Sequence, residues 1–228
     1  MNISQNYQRI KEEIQRTCER INRHPDEIKL VAVSKNKPVE AILEAISAGI
    51  TRFGENRVQE AMAKIPQINA PVEWHLIGTL QTNKVKKAIG LFSMIQSVDS
   101  LHLAEEIEHR CGQKELLMPV LIEVNTSGEP TKHGVQPEQL PELLKQVILL
   151  PHLKVRGLMT IGPGLAIENP EASRNCFRQL ARLCREMEDK FGISLPELSM
   201  GMSSDFTVGI EEGATIIRIG TAVFGPRG

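Results

Sequence analysis

Short apolar runs rich in β-branched residues alternate with stretches of helical periodicity along this chain, and that alternation limits its fold more than any other feature. The strand-like runs cover residues 30–33, 52–54, 73–77, 94–98, 119–124, 155–159, 197–200 and 215–219. Between them the spacing predicts helices over 38–49, 60–65, 83–89, 101–110, 138–149, 170–191 and 205–212. A leading helix over 4–22 carries apolar positions Ile10, Ile14, Cys18 and Ile21 at helical spacing. Strict alternation means parallel strands joined by crossover helices. Eight such units close into a barrel. An open doubly wound sheet would require a glycine-rich turn after its first strand, and Ser34-Lys35-Asn36-Lys37-Pro38 is not one. The expected fold class is therefore α/β, a (β/α)8 TIM barrel with an additional N-terminal helix, with residues 1–228 forming a single domain.

Composition removes several functional classes. The 228 residues carry 27 basic against 28 acidic side chains, a balance that argues against a broad grip on nucleic-acid phosphates. The longest apolar stretch, Val147-Ile148-Leu149-Leu150, is far shorter than a membrane span. The polar start Met1-Asn2-Ile3-Ser4-Gln5 lacks the apolar core of a signal peptide, so a cytoplasmic protein is expected. Cys18, Cys111, Cys176 and Cys184 show no metal-ligand spacing. Cys176 and Cys184, eight residues apart on one predicted helix, would sit roughly 12 Å from each other, too far for a disulfide. Reduced structural cysteines and no metal site are expected.

In a (β/α)8 barrel, functional groups gather after the C-terminal ends of the strands. Lys35 directly follows the first apolar strand and should project into the barrel mouth. Desolvation there favours the neutral amine, the form that attacks an aldehyde to give a Schiff base. Lys37, two residues on, reads as a surface lysine. Asn56, Gly78, Asn125 and Thr160 follow strands two, three, five and six. The last two strands end in Gly201-Met202-Ser203-Ser204-Asp205 and Arg218-Ile219-Gly220-Thr221. Small residues and hydroxyls at these positions suit a phosphate, while Ser203 or Ser204 would serve equally as an N-cap of the following helix. Alternation directs Arg218 away from the face of Ile217 and Ile219, into the barrel, where it needs a partner. A Schiff-base lysine facing a phosphate cradle suggests a ligand bearing both an aldehyde and a phosphate: pyridoxal 5′-phosphate (PLP) or a phosphosugar.

The segments Val31-Ala32-Val33-Ser34-Lys35-Asn36-Lys37-Pro38, Phe53-Gly54-Glu55-Asn56 and Trp74-His75-Leu76-Ile77-Gly78-Thr79-Leu80-Gln81-Thr82-Asn83-Lys84 resemble motifs of the pyridoxal phosphate homeostasis protein family. So do Gly157-Leu158-Met159-Thr160, Leu198-Ser199-Met200-Gly201-Met202-Ser203 and Arg218-Ile219-Gly220-Thr221-Ala222-Val223-Phe224-Gly225. Asn36 and Thr79 depart from the family's usual Thr and Pro. The resemblance implies a stand-alone version of the alanine racemase barrel that serves vitamin B6 and amino-acid balance, with no established catalytic reaction. It implies PLP held as an internal aldimine on Lys35, its phosphate on Ser203, Gly220 and Thr221, and its pyridine nitrogen facing Arg218. Asn56 could touch the cofactor, and His75 is either a further contact or a buried structural residue. An arginine at the ring nitrogen keeps that nitrogen unprotonated and the ring a poorer electron sink.

Three functional classes follow. The first holds PLP and passes it on, with apo-enzymes as recipients and Lys37 as a transient acceptor; a monomer is expected. The second is a PLP-dependent amino-acid racemase, which needs a base on each face of the cofactor. The only tyrosine, Tyr7, lies in the leading helix, which disfavours this class. The third is a lysine-dependent aldolase or phosphosugar isomerase.

Overall fold

A computed structural model describes residues 2–226, so the two ends of the predicted 1–228 unit lie outside the described residues. Eight parallel strands close on themselves in sequence order: β1 (Lys29–Val33), β2 (Arg52–Glu55), β3 (Glu73–Leu76), β4 (Met94–Val98), β5 (Met118–Glu123), β6 (Leu153–Met159), β7 (Glu197–Ser199) and β8 (Ile216–Ile219). The predicted barrel is the observed one. Closure places β1 between β2 and β8, with Ala32 opposite both Phe53 and Ile219, and Val31 opposite Arg218.

The helices between the strands are α2 (Val39–Ser47), α3 (Val58–Lys64), α4 (Val85–Ala88), α5 (Leu101–Gly112), α6 (Leu140–Val147), α7 (Arg174–Phe191) and α8 (Phe206–Glu211). The leading helix α1 (Ile3–Arg20) starts where the Asn2 side chain accepts from the Gln5 N–H. It buries Ile3, Ile10, Ile14, Thr17 and Cys18 against α2, α8 and α9 (Thr221–Phe224). The four-residue α9 is too short to register as a periodic pattern, and it has no counterpart in the sequence reading. The helix predicted over 170–191 begins as a 3-10 turn, Pro170–Ser173, before becoming α-helical at Arg174. The one predicted over 83–89 divides similarly into a 3-10 turn (Thr82–Lys84) and α4.

Two cores follow from strand alternation. Outward residues such as Ala32, Phe53, Trp74, Leu76, Ile95, Ile217 and Ile219 pack under the helices. Inward residues Val31, Leu121, Met159 and Ile216 fill the barrel as a separate apolar layer. Gly54 belongs to the inward set, and a Cβ there would come within 2.9 Å of Val31 Cγ1. All four cysteines are free and buried, and burial raises their thiols, Cys111 to about 11 and Cys184 to about 12. Among the described residues no helix is long and apolar enough to cross a membrane, and no cluster of metal-ligating side chains occurs.

Candidate functional site

Lys35 lies two residues past the end of β1, continuing the inward alternation of Val31 and Val33 into the mouth, and is half-buried. Its loop is held from below by a buried polar cluster absent from the sequence reading. Lys64 Nζ donates to the Ser34 carbonyl at 2.8 Å and to Glu55 Oε1 at 3.0 Å. Ser34 Oγ donates to the same Glu55 oxygen at 2.7 Å, and the Asn36 N–H donates to Glu60 Oε1. Glu55 is fully buried, and burial raises its carboxyl pKa despite the hydrogen bonds from Ser34 and Lys64 that oppose the shift. Asn36 adopts φ 59°, a left-handed conformation that Asn tolerates better than a β-branched residue, which accounts for one of the two noted departures.

Lys37 is not the surface residue expected from its position. It is half-buried, and Nζ donates to the carbonyls of Phe224 (3.3 Å), Gly225 (3.4 Å) and Pro226 (3.2 Å). The last carbonyls of a short helix otherwise lack partners, and a lysine ammonium satisfies them.

The two loops after β7 and β8 face each other. Asp205, fully buried, fixes the first of them: Oδ1 accepts from the Met202 N–H at 2.7 Å and Oδ2 from Ser173 Oγ at 2.5 Å. Gly201 makes the bend at φ 95°, where a Cβ would meet Phe206 Cα at 2.9 Å. Ser203 does not cap α8, whose N-cap is Asp205. Its Oγ instead accepts from the Ala222 N–H at 3.2 Å and so joins the two loops. Gly220 and Thr221 form the entry to α9, and Gly220 sits against Val33, 3.5 Å from a would-be Cβ to the Val33 Cβ. Ser203, Gly220 and Thr221 thus come together beside β1, the strand that leads to Lys35. Among the described residues, the N–H groups of Ser203 and Ser204 donate to no acceptor. Small residues with free donors beside a hydroxyl form a cradle suited to a phosphate.

Arg218 points into the barrel as alternation requires, and its partners are definite. Nη1 donates to Ser199 Oγ at 2.5 Å and Nη2 to the Thr160 carbonyl at 2.8 Å. Burial lowers its pKa to about 10, against the opposing effect of the Glu123 and Asp205 carboxylates, so it stays charged at neutral pH. Glu123, also inward and buried on β5, went unnoticed in the sequence. Burial raises its pKa to about 7, helped by Asp99 and opposed by Arg218. Its spacing of two from Leu121 is the signal that could have found it.

Asn56 lies at the mouth end of β2, and its Oδ1 is buried without a partner among the described residues. It borders two adjoining cavities, one of about 230 Å³ lined by Lys35, Asn36 and Glu60 and one of about 590 Å³ lined by Gly78, Gln81 and Lys84. His75 lies inside the barrel, with Nδ1 2.8 Å from Gln96 Nε2, and belongs to the buried interior. Asn125 is turned away: its Nδ2 donates to the Glu129 and Lys132 carbonyls and shapes its own loop. Tyr7 lines a cleft of about 380 Å³ with Ile28, Leu30 and Arg52, residues that begin β1 and β2, so it stands at the opposite end of the barrel from Lys35.

An amine, an anion cradle, an inward arginine and an orphaned amide oxygen fit an aldehyde-bearing phosphate ester. The alanine racemase N-terminal domain family matches residues 5–228. The pyridoxal phosphate homeostasis protein of Aquifex aeolicus is 49% identical over 228 residues, covering 100% of this chain and 99% of that protein. The protein of the same name from Escherichia coli is 38% identical, with 99% and 97% covered. The solved structure of PipY from Synechococcus elongatus with PLP bound superposes with a TM-score of 0.82 at 38% identity, covering 93% of this chain and 100% of that one. Alanine racemase of Clostridium difficile, at 15% identity and a TM-score of 0.80, shares the fold, and this chain spans 57% of its length. The chain belongs to the alanine racemase N-terminal domain family and, within it, to the pyridoxal phosphate homeostasis proteins.

Proposed function

We propose that this protein binds PLP at the C-terminal mouth of its barrel and serves the intracellular balance of that cofactor and of amino acids without turning over a substrate of its own. The observation that supports the reading is the cradle of Ser203, Gly220 and Thr221 beside β1, the strand that leads to Lys35, together with a relative of similar length solved with PLP bound. In this reading the Lys35 amine condenses with the cofactor aldehyde, releasing water and leaving a Schiff base. Ser203, Gly220 and Thr221 hold the phosphate, Arg218 meets the ring nitrogen, and Asn56 supplies an acceptor at the rim.

PLP supplies an electron sink when bound, and the residues here restrain it. The Arg218 guanidinium donates hydrogen bonds and gives up no proton, so it does not convert the ring nitrogen into its stronger, protonated form. The only tyrosine stands at the far end of the barrel and offers no base opposite Lys35. Holding and passing on the cofactor fits this arrangement better than racemisation. The protein is proposed to act as a cytoplasmic monomer with apo-enzymes as transient recipients.

The test is spectroscopic. Adding PLP to the purified protein should give a visible absorption band, and borohydride should fix the cofactor to the peptide containing Lys35. Absence of both would refute the reading. Robust interconversion of an L-amino acid and its enantiomer by the loaded protein would replace it with a racemase.

A further inference from the structure

A continuous chain of hydrogen bonds crosses the barrel interior alongside the apolar residues Val31, Met159 and Ile216. Arg218 Nη1 donates to Ser199 Oγ at 2.5 Å, and Ser199 Oγ donates to Gln96 Oε1 at 2.6 Å. Gln96 Nε2 lies 2.8 Å from His75 Nδ1. All four side chains are buried. Each direction follows from the one before. The guanidinium can only donate, so the serine oxygen accepts from it and its one proton goes to Gln96. The Gln96 oxygen is thereby used, its NH2 faces His75, and His75 Nδ1 must accept. The remaining imidazole proton therefore sits on Nε2, which faces Glu73 Oε2 at 3.6 Å. Glu73 in turn accepts from Arg52 Nε at 3.1 Å, and its carboxyl is held down at about 2, first by His75.

We infer that Ser199, Gln96 and His75 are positioning residues for Arg218, locking the plane and direction of the guanidinium that meets the cofactor. This rests on the PLP reading above and specifies how that site is built. Elsewhere the barrel interior is filled by apolar side chains, Val31, Leu121, Met159 and Ile216. A buried polar chain is costlier than such apolar packing unless every member is satisfied, and it gains in return a fixed geometry. Ser199 on one amino group and the Thr160 carbonyl on the other hold both ends of the guanidinium, so it cannot rotate about its long axis. Gln96 carries its acceptor and its donor on separate atoms of one amide. It therefore converts the serine's donated proton into a proton offered to His75.

The experiment titrates wild type, Ser199→Ala, Gln96→Met, His75→Phe and His75→Asn with PLP, reading affinity and the position and pH profile of the visible band, alongside the melting temperature of each ligand-free protein. Asn keeps an acceptor near the place of Nδ1, whereas Phe does not. The expected result is a band shift and about tenfold weaker binding for Ser199→Ala, Gln96→Met and His75→Phe, with His75→Asn close to wild type. If wild type gives no band, the PLP reading itself fails. If wild type gives the band and Ser199→Ala, the mildest change, keeps its position, pH profile and affinity, the positioning role is overturned. Weaker binding that tracks the loss of melting temperature in every variant, His75→Asn included, with no band shift, also overturns it.

Discussion

Lys64 Nζ donates to the carbonyl oxygen of Ser34 at 2.8 Å, one residue before Lys35. The same ammonium reaches Glu55 Oε1 and Glu60, so one buried cation ties α3 and the end of β2 to the loop that presents the reactive amine. Removing one partner of a buried charge pair strands the other, at a cost of about 3–5 kcal/mol. Lys64→Met should therefore lower unfolding stability by about 3 kcal/mol in urea titrations. Lys64→Met combined with Glu55→Gln should recover part of that loss, because the stranded carboxylate is removed too. Wild-type stability in the single variant would show the cluster to be dispensable.

Lys37 makes a second, separate connection. Its three bonds to the Phe224, Gly225 and Pro226 carbonyls join the β1 loop to the chain after α9. Lys37→Met should cost about 1 kcal/mol of global stability. The local effect should be larger. Amide hydrogen exchange at residues 222–225 should accelerate several-fold while exchange in the strands stays unchanged. A transient-acceptor role for Lys37 requires that ammonium to leave its carbonyls, so PLP release to an incoming amine should be tested in the same variant. An unchanged release rate, with the exchange effect present, assigns Lys37 to the clamp alone.

The barrel was legible because each strand alternates or is wholly apolar and each helix is long enough to show a face. Arg218 was legible for the same reason: its neighbours Ile217 and Ile219 define the opposite face. Lys35, Ser203, Gly220 and Thr221 sit at strand ends, where barrel chemistry puts function. The buried polar partners were not legible. Ser199 and Thr160 meet Arg218, and Gln96 meets Ser199, only once the barrel brings together segments distant in sequence. Lys37 and Lys64 look like solvated lysines until helices fold over them. Helix α9 spans a single turn, below any periodic signal, and its carbonyls are what give Lys37 a partner.

Glu123 gives the sharpest pH dependence. Its carboxyl, buried inside the barrel, is raised to about 7 from an ordinary value of 4.5, chiefly by desolvation, with Asp99 adding to the shift and Arg218 opposing it. Between those two values the folded protein keeps the proton and the unfolded chain has lost it. The folded state then binds more protons, so stability falls as pH rises toward 7 and levels off above it. The slope from this one group approaches 1.4 kcal/mol per pH unit, and the whole effect is on the order of 3 kcal/mol. Glu123→Gln mimics the protonated form. It should match wild type near pH 4.5 and exceed it at pH 8 by up to that amount, in urea unfolding measured at several pH values. Parallel pH profiles for the two proteins would mean that Glu123 ionises without penalty in the fold. The same substitution removes the carboxylate that faces Arg218, so the loaded variant should also bind an anionic cofactor more tightly than wild type at pH 8 and equally at pH 5.5.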